Sequence, residues 1–289
     1  MKKQVLLVDG MALLFRGYFA TAYTGNFMKN SKGVALNGIH QFLRYFLHAT
    51  NTFEPMHVVC CWDMGSTTYR TELFPNYKAN RDAPPEELQP QFELVKDVVA
   101  SFDVPNIGVV NYEADDCIGT IAHQFKAAAD DFDITILTGD LDMLQLVEEQ
   151  IQVAIMRKGI GNYEIFSLDN FYELKGVHPY QIVDLKGMMG DSADNYPGVK
   201  GIGEKTGIKL LQTYDTVENV LENMTKLTPA MRKKFETDMD MLQLSRQLAK
   251  INCEVPIECA LEDTFWQYNE KKVNTKLTAL EMKELAYYM

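Results

Sequence analysis

Short apolar segments that lead into an aspartate recur in the first half of the chain, and they constrain the fold more than any other feature. The segments and their aspartates are residues 5–8 with Asp9, 58–62 with Asp63, and 134–137 with Asp140. Weaker strand candidates lie at 106–110, 153–155 and 163–166. Unbroken apolar runs of this kind are typical of parallel strands covered by helices on both faces.

Helical patterns alternate with these strand candidates, at 38–50, 85–102, 115–129 and 142–149. The alternation predicts an α/β fold over residues 1–175, with a mostly parallel central sheet flanked by helices. The strand candidates then cease, and helical segments follow at 179–189, 204–214, 216–224 and 228–250. They predict a smaller helical subdomain over 176–289, in which the residues after about 255 form a variable tail helix.

Nine carboxylates stand at the ends of predicted elements. They are Asp9, Asp63, Glu113, Asp115, Asp116, Asp140, Asp142, Asp191 and Asp194. Ligand sites in open parallel sheets form beyond the carboxyl ends of the strands, so the three strand-terminal aspartates are expected on one rim. Helix capping or a turn explains each acid taken singly, and only the joint pattern indicates a site.

Carboxylates gathered in this number repel one another unless cations neutralise them. A site of carboxylates without His or Cys suits hard cations such as Mg²⁺ or Mn²⁺. Two such ions, about 3.5–4 Å apart, can flank one phosphodiester. Without these nine acids the net charge of −12 becomes −3, so the remaining surface is close to neutral and has room for basic patches.

Other chemistries match less well. An aspartyl-phosphate phosphohydrolase is a rival interpretation of Asp9, but it usually has a second aspartate two residues later, where this chain has Met11. The sequence has no G-x-x-x-x-G-K-[ST] loop and no G-x-S-x-G. The five histidines are scattered and form no set of metal ligands, and the five cysteines, an odd number without a C-x-x-C, fit a reduced, intracellular setting. No signal-peptide core or membrane span stands out, and we expect a cytoplasmic protein.

A glycine-rich segment with lysines, N-Y-P-G-V-K-G-I-G-E-K-T-G-I-K-L-L at 195–211, is the most specific motif in the chain. It has the pattern of a helix–hairpin–helix, predicted over about 183–212, in which backbone N–H groups approach a phosphate at the start of the second helix. The residues expected to contact DNA are Gly198, Lys200, Gly201, Gly203, Lys205, Thr206 and Lys209. A simple glycine-rich connector is the alternative.

Two other segments, 15–19 and 67–81, combine basic and aromatic residues. Basic side chains can hold phosphates and aromatic rings can stack on bases. The candidates for such DNA contacts are Arg16, Tyr18, Arg70, Tyr77, Lys78 and Arg81. The alternatives are core packing for the first segment and an ordinary solvated loop or helix for the second.

Taken together, the motifs resemble those of the bacterial 5′-nuclease family, which includes the N-terminal domain of bacterial DNA polymerase I and the flap endonucleases. They are L-L-V-D-G at 6–10, W-D at 62–63, F-P-N-Y-K-A-N-R at 74–81, Y-E-A-D-D at 112–116, L-T-G-D-L-D at 137–142, and G-D-S-A-D-N-Y-P-G-V-K-G-I-G-E-K-T at 190–206. The resemblance extends over residues 4 to about 255.

The resemblance implies a PIN-like or resolvase-like core with a helical arch at about 66–97. It implies a nuclease that cuts DNA at 5′ ends and 5′ flaps with two or more Mg²⁺ ions, for which Mn²⁺ can substitute. The nine carboxylates would bind these ions, and their division between the ions stays open. Lys78, Arg81, Asp115 and Asp140 would act at the scissile phosphate, and K⁺ would bind to the carbonyls of the helix–hairpin–helix.

All nine matching positions are acidic, so we expect an active, stand-alone enzyme. Its expected substrates are branched or flapped DNA with single-stranded 5′ ends, including RNA-primed ends, and we expect a monomer associated with the nucleoid. Two alternatives stay open at this point, a DNA-structure binder without catalysis and a nuclease directed at RNA. The balance between exonuclease and flap endonuclease activity also stays open.

Overall fold

A six-stranded sheet forms the centre of the computed structural model, which describes residues 3–23, 25, 27–128 and 131–288. The strands are β1 (Lys3–Asp9), β2 (His57–Cys61), β3 (Asn106–Ile107), β4 (Phe132–Thr138), β5 (Ile151–Met156) and β6 (Tyr163–Phe166). Their order is β3-β2-β1-β4-β5-β6, and all pairs are parallel except β5 with β6. The predicted fold class is confirmed, although the strand expected at 106–110 has only two residues.

Strand β1 is buried on both faces, which explains its unbroken apolar sequence. Leu7 packs in a core cluster with Ile136 of β4, on one side of the sheet. Leu6 and Val8 point to the other side and pack with Val58 of β2. The hydrophobic effect therefore acts on every residue of the run, as expected for a central parallel strand.

Twelve α-helices flank and follow the sheet in the described residues. They are α1 (Gly10–Ala22), α2 (Asn37–Phe53), α3 (Tyr69–Leu73), α4 (Gln89–Ser101), α5 (Ala114–Ala128), α6 (Leu168–Lys175), α7 (Ile182–Met189), α8 (Glu204–Tyr214), α9 (Val217–Glu222), α10 (Pro229–Thr237), α11 (Met239–Ala249) and α12 (Glu270–Ala279). Short 3-10 helices cover Leu141–Leu146, Pro179–Gln181, Met224–Lys226, Leu261–Thr264 and Lys283–Tyr288.

Two helix predictions need correction, and one helix was missed at the start of the chain. The α-helix expected at 142–149 is the 3-10 helix Leu141–Leu146, whose first turn is capped by the side chain of Asp140. The single helix expected at 228–250 is two helices, α10 and α11, that meet at Asp238. Helix α1 was not expected, because its largely apolar sequence hides any helical period. Residue 129, the predicted end of α5, lies outside the described residues.

The predicted arch region at 66–97 contains α3, a turn-rich segment and the first part of α4. Its first half is fixed to the core at the base, because the Tyr69 N–H donates to the Asn111 carbonyl just before α5 (3.1 Å). A capping box of Thr68 and Thr71 starts α3. The arch segment is therefore anchored beside the start of α5, where three of the predicted site acids lie.

The C-terminal residues return to the N-terminal core. Phe265 forms an isolated antiparallel bridge with His57 of β2, and α12 packs on α4. The buried side chains of Val273 and Leu277 contribute to this contact, and Lys276 Nζ pairs with Asp97 of α4 (3.0 Å). The segment after 255 is thus part of the folded core. Within the described residues, no helix combines the length and apolar character required to cross a membrane.

Candidate active site

The carboxyl ends of β1, β2 and β4 meet on one rim of the sheet, as the sequence predicts. Asp9 ends β1, and its Oδ2 accepts a hydrogen bond from the Thr138 hydroxyl at the end of β4 (2.6 Å). Asp63 follows β2, and its Oδ1 accepts the N–H of Ala114 in the first turn of α5 (2.7 Å). Asp140 follows β4 and faces solvent. The rim therefore carries three carboxylates on three adjacent strands.

Helix α5 brings further acids to this rim from its N-terminus. Asp115 is close enough to Asp140 and Asp9 that their charges act on its titration. Glu113 is buried and faces the arch segment, where Lys78 Nζ donates to its Oε1 (2.9 Å). The hydrogen bond from α5 to Asp63 holds this helix start over the end of β2, so the two sets of acids are joined.

Two more acids come from the loop after α7. Asp191 and Asp142 share one cation, because Lys186 of α7 forms ion pairs with both carboxylates. Asp194 is buried beside the arch segment, and its carboxylate is paired with Arg81. The loop thus extends the acidic rim from the sheet to the helical subdomain.

Burial and mutual repulsion shift the titration of the rim acids. The pKa of Asp9 is raised to about 7, mainly by burial and in smaller part by the charges of Asp63 and Asp140. Burial also raises the pKa of Asp142 to about 7, with Asp140 adding to the shift. Burial, Asp140 and Asp9 hold the pKa of Asp115 well above its ordinary value. Such a site favours either protonation or neutralisation by cations.

Side-chain cations neutralise part of this charge. Lys78, Arg81 and Lys186 each contact at least one site carboxylate. In this arrangement, no three Asp, Glu, His or Cys side chains among the described residues form a group that could hold a metal ion. The donor set itself fits hard divalent ions, because it consists of carboxylate oxygens; burial, followed by neighbouring negative charges, raises the pKa values of Asp9, Asp115 and Asp142 among them.

Two predicted roles need correction, that of Asp116 as a metal ligand and that of Arg70 as a DNA contact. Both Asp116 oxygens are bound by the Arg70 guanidinium, at 2.8 Å each, and both side chains are buried. Arg70 also donates from Nε to the Leu248 carbonyl (3.0 Å) and from Nη2 to the Lys250 carbonyl (2.9 Å). This pair leaves Asp116 no oxygen for a metal ion and Arg70 no reach to a phosphate.

Two tyrosines also differ from their predicted role in base stacking. Tyr77 is buried, its ring stacks on Tyr196, and its hydroxyl donates to Asp194 Oδ2 (3.0 Å). Tyr18 is only 2% exposed and packs against Phe27 in the core. Both rings are therefore closed to DNA. Arg16 is half-buried and stays a predicted DNA contact.

The helix–hairpin–helix residues form a turn between α7 and α8. Gly198 and Gly201 have positive φ angles of 62° and 79°, and a side chain on Gly198 would collide with the backbone of Gly190. This explains the glycines, since the left-handed region is costly for other residues. Of the predicted contacts, Lys200, Gly201, Gly203, Lys205 and Lys209 are exposed, Thr206 is half-buried and Gly198 is buried; Pro197 and Glu204 of the motif are also exposed.

Comparisons with known proteins agree with this architecture. Residues 4–176 match the family described as 5′-3′ exonuclease, N-terminal resolvase-like domain, and residues 177–273 match the 5′-3′ exonuclease, C-terminal SAM fold. A Bacillus subtilis protein named 5′-3′ exonuclease is 50% identical over 280 residues, which are 97% of this chain and 94% of that protein. The chain belongs to the 5′-3′ exonuclease family.

Other relatives of this 5′-3′ exonuclease family member are larger or more distant. DNA polymerase I of Lactococcus lactis is 41% identical over 91% of this chain, and the match spans 30% of the polymerase. A crystal structure of the T5 D15 protein with metal ions has a TM-score of 0.71 at 20% identity, covering 98% of this chain and all of the other. The catalytic core of Rad2 has a TM-score of 0.64 at 16% identity, covering 99% and 91%. These two likenesses show the shared fold.

Two residues of this 5′-3′ exonuclease site were not found from the sequence. Lys186 lies in a predicted helix without any feature that marks it, apart from its position five residues before Asp191. Thr138 precedes the G-D-L-D segment, and its hydroxyl accepts the N–H of Asp140 (3.0 Å) while it donates to Asp9. A threonine at the end of a strand is too common a feature to single out.

Proposed function

We propose that this chain is a structure-specific 5′ nuclease, which hydrolyses DNA phosphodiester bonds at 5′ ends and 5′ flaps. The observation that carries the proposal is the acidic rim, which combines raised carboxyl pKa values with two basic side chains of the arch segment, Lys78 and Arg81. The names of the relatives agree with it, since one is a 5′-3′ exonuclease and others are DNA polymerase I.

The proposed cofactors are two or more Mg²⁺ ions, with Mn²⁺ as a substitute. The residues that would hold them are Asp9, Asp63, Glu113, Asp115, Asp140, Asp142, Asp191 and Asp194. When bound, such ions lower the pKa of water and stabilise charge on the phosphate and the leaving oxygen. Lys78 and Lys186, which pair with Glu113, Asp142 and Asp191, would have to release these carboxylates for the ions to be held.

Lys78 has a second role in this proposal. Its backbone adopts a left-handed conformation (φ 55°), which is uncommon for a residue other than glycine, and its N–H donates to the Asp194 carbonyl (2.9 Å). This fixes the backbone beside the rim, from where the side chain reaches Glu113. Once released from Glu113, the ammonium can stabilise charge that develops on the scissile phosphate, with Arg81 at the neighbouring phosphate.

DNA binding is proposed to be divided between the two parts of the chain. Residues 1–175 would hold the reacting strand, with Arg16 among the contacts, and residues 176–289 would grip the duplex through the helix–hairpin–helix. K⁺ is proposed at the hairpin carbonyls other than that of Gly201, which already accepts from Lys234 (2.7 Å). We also propose that the substrates include RNA-primed 5′ ends, that the protein is a monomer, and that it works in the cytoplasm at the nucleoid.

A cleavage assay tests the function directly. With Mg²⁺, labelled 5′-flap DNA is expected to be cut near the junction, while a matched 3′-flap substrate stays intact. With EDTA, we expect binding without cutting. A flap made of RNA, joined to the same DNA duplex, tests the RNA-primed substrates; cutting of RNA alone would favour the RNA-directed alternative.

A DNA-structure binder without catalysis is the second candidate. It is favoured by the ion pairs of Lys78, Arg81 and Lys186, which satisfy four site carboxylates without any metal. Its expected result in the same assay is a retarded flap complex that survives intact with Mg²⁺, Mn²⁺ and EDTA alike. Any divalent-dependent cutting by purified protein decides against it.

The pKa shifts predict how Mg²⁺ stabilises the protein at different pH. Carboxyls with folded pKa values raised to about 7, as for Asp9 and Asp142, contribute stability below their unfolded pKa and lose it as pH rises through 7. Mg²⁺ needs deprotonated ligands, so its effect opposes this loss. Thermal unfolding should show a larger Tm gain with Mg²⁺ at about pH 8 than at about pH 5.5. Equal gains at both values would contradict the assignment of these acids.

A further inference from the structure

Side chains of α10 and α11 hold the backbone of the hairpin, defined here as residues 198–203. Lys234 Nζ of α10 donates to the Gly201 carbonyl (2.7 Å), and the Lys200 N–H donates to Oδ2 of Asp238, where the two helices meet (2.8 Å). The Gly198 N–H donates to the hydroxyl of Ser245, which is fully buried on α11 (3.2 Å). Three side chains thus bind the backbone of one short turn, at Gly198, Lys200 and Gly201.

The carboxylate of Asp238 is placed where it could have capped helix α11. Asp238 is the residue before α11, and aspartate at such a position usually accepts an N–H of the helix that follows. Here its side chain makes no capping bond within the described chain and is turned to the hairpin instead. The bend that divides α10 from α11 is therefore coupled to the shape of the hairpin.

The hairpin needs this support because its conformation is not strongly preferred by its sequence. Gly198 and Gly201 are left-handed, and glycine also visits many other conformations at little cost. Gly203 is the residue before α8, and no side-chain cap is formed there in the described chain. The first N–H groups of that helix are therefore available to an anion. Their direction depends on the hairpin that precedes them.

We propose that the corner between α10 and α11 is a clamp that sets the hairpin for duplex binding, with Lys234 and Asp238 as positioning residues. The proposal rests on the proposed function, since it concerns how the same nuclease holds its DNA. The clamp acts on affinity. It fixes the backbone before DNA arrives, and less ordering entropy is then lost on binding.

Asp238→Ala distinguishes the clamp from simple electrostatics, because the two predict opposite changes in DNA affinity. Removal of a negative charge next to a DNA-binding turn strengthens binding if only charge matters. If the clamp operates, the freed hairpin weakens duplex binding, with Kd for flap DNA about tenfold higher. Asp240→Ala is the matched control, because Asp240 is an exposed acid two residues further on α11. For this control we expect unchanged or slightly tighter binding.

Lys234→Met tests the other arm of the clamp. The expected result is a Kd about tenfold higher, with the single-turnover rate at saturating DNA within about twofold of the wild type. Lys233→Met removes the same charge from the adjacent exposed position and should change Kd much less. Lys234→Arg keeps a donor for the Gly201 carbonyl and should restore most of the affinity.

The outcomes distinguish failure of the clamp from failure of the proposed function. Wild-type protein that neither binds nor cuts flap DNA overturns the function. If the wild-type protein binds and cuts flap DNA, two results overturn the clamp. One is that Asp238→Ala tightens DNA binding as Asp240→Ala does, and the other is that Lys234→Met and Lys233→Met weaken it equally. Thermal unfolding of each variant, with Tm close to the wild type, shows that the measured change belongs to the hairpin.

Discussion

Asp115→Asn is expected to lower flap cleavage by a factor of about 10³ or more, while DNA binding and the fold stay intact. Asp115 is close enough to Asp9 and Asp140 for their charges to act on it, and burial and these charges raise its pKa well above its ordinary value, which favours the neutral acid. Asparagine has nearly the shape of that neutral acid, so the fold should tolerate it. Metal ions contribute several kcal/mol to the transition state, and 1.36 kcal/mol corresponds to about tenfold in rate.

The measurement is single-turnover cleavage of 5′-flap DNA with Mg²⁺, beside a binding titration in EDTA. Asp169→Asn is the control, since Asp169 is exposed on α6 and undergoes the same chemical change. Cleavage by Asp115→Asn within about tenfold of the wild type would remove Asp115 from the catalytic set. Loss of both binding and cleavage, with a lowered Tm, would point to a structural role instead.

Arg70→Met should destabilise the protein by about 3–5 kcal/mol, the usual cost of leaving a buried charge without its partner. Arg70 joins α3 of the arch to Asp116 on α5 and to the backbone after α11, through the carbonyls of Leu248 and Lys250. Its removal therefore loosens three elements at once. A fall in Tm of about 10 °C is expected in thermal unfolding at neutral pH.

A double variant identifies the cause of this loss. Arg70→Met combined with Asp116→Asn removes both charges, so it should be more stable than Arg70→Met alone. Arg81→Met is the matched control, because Arg81 lies in the same segment but its side chain is about half exposed. There the expected change is about 1 kcal/mol or less. If Arg70→Met is no more harmful than Arg81→Met, the buried pair does not stabilise the fold.

The sequence was sufficient where the signal is local. The apolar run before Asp9 identified a central parallel strand, because burial on both faces leaves no polar positions in it. The rim followed from the same reasoning, since parallel strands end at the same edge of a sheet. The helix–hairpin–helix could also be identified locally, because the left-handed glycines Gly198 and Gly201 are required by the turn itself.

The sequence was insufficient where partners are distant along the chain. Arg70 was interpreted as a phosphate contact, but its partners Asp116 and Leu248 lie 46 and 178 residues away and meet it only in the folded protein. Tyr77 was misassigned for the same reason, because its hydrogen-bond partner Asp194 is 117 residues away. A basic and aromatic segment has the same composition whether its side chains face DNA or the core.

Helix α11 illustrates a further limit. The apolar period continues from α10 into α11, so one helix was expected over 228–250. The break at Asp238 arises where its side chain binds the backbone of the hairpin rather than a helix N–H. A contact between residues 38 positions apart thus accompanies an interruption that neither helix sequence shows.

The lysines inside the acidic rim are built-in counterions of the site carboxylates. Lys186 neutralises Asp142 and Asp191, and Lys78 neutralises Glu113, while both remain tethered to the chain. Under the proposed function, a divalent ion that binds to Glu113, Asp142 or Asp191 would have to displace one of these ammonium groups. Under the proposed function, the metal-free protein would keep its fold without cutting DNA, and the concentration of divalent ions would set the active fraction of the molecules.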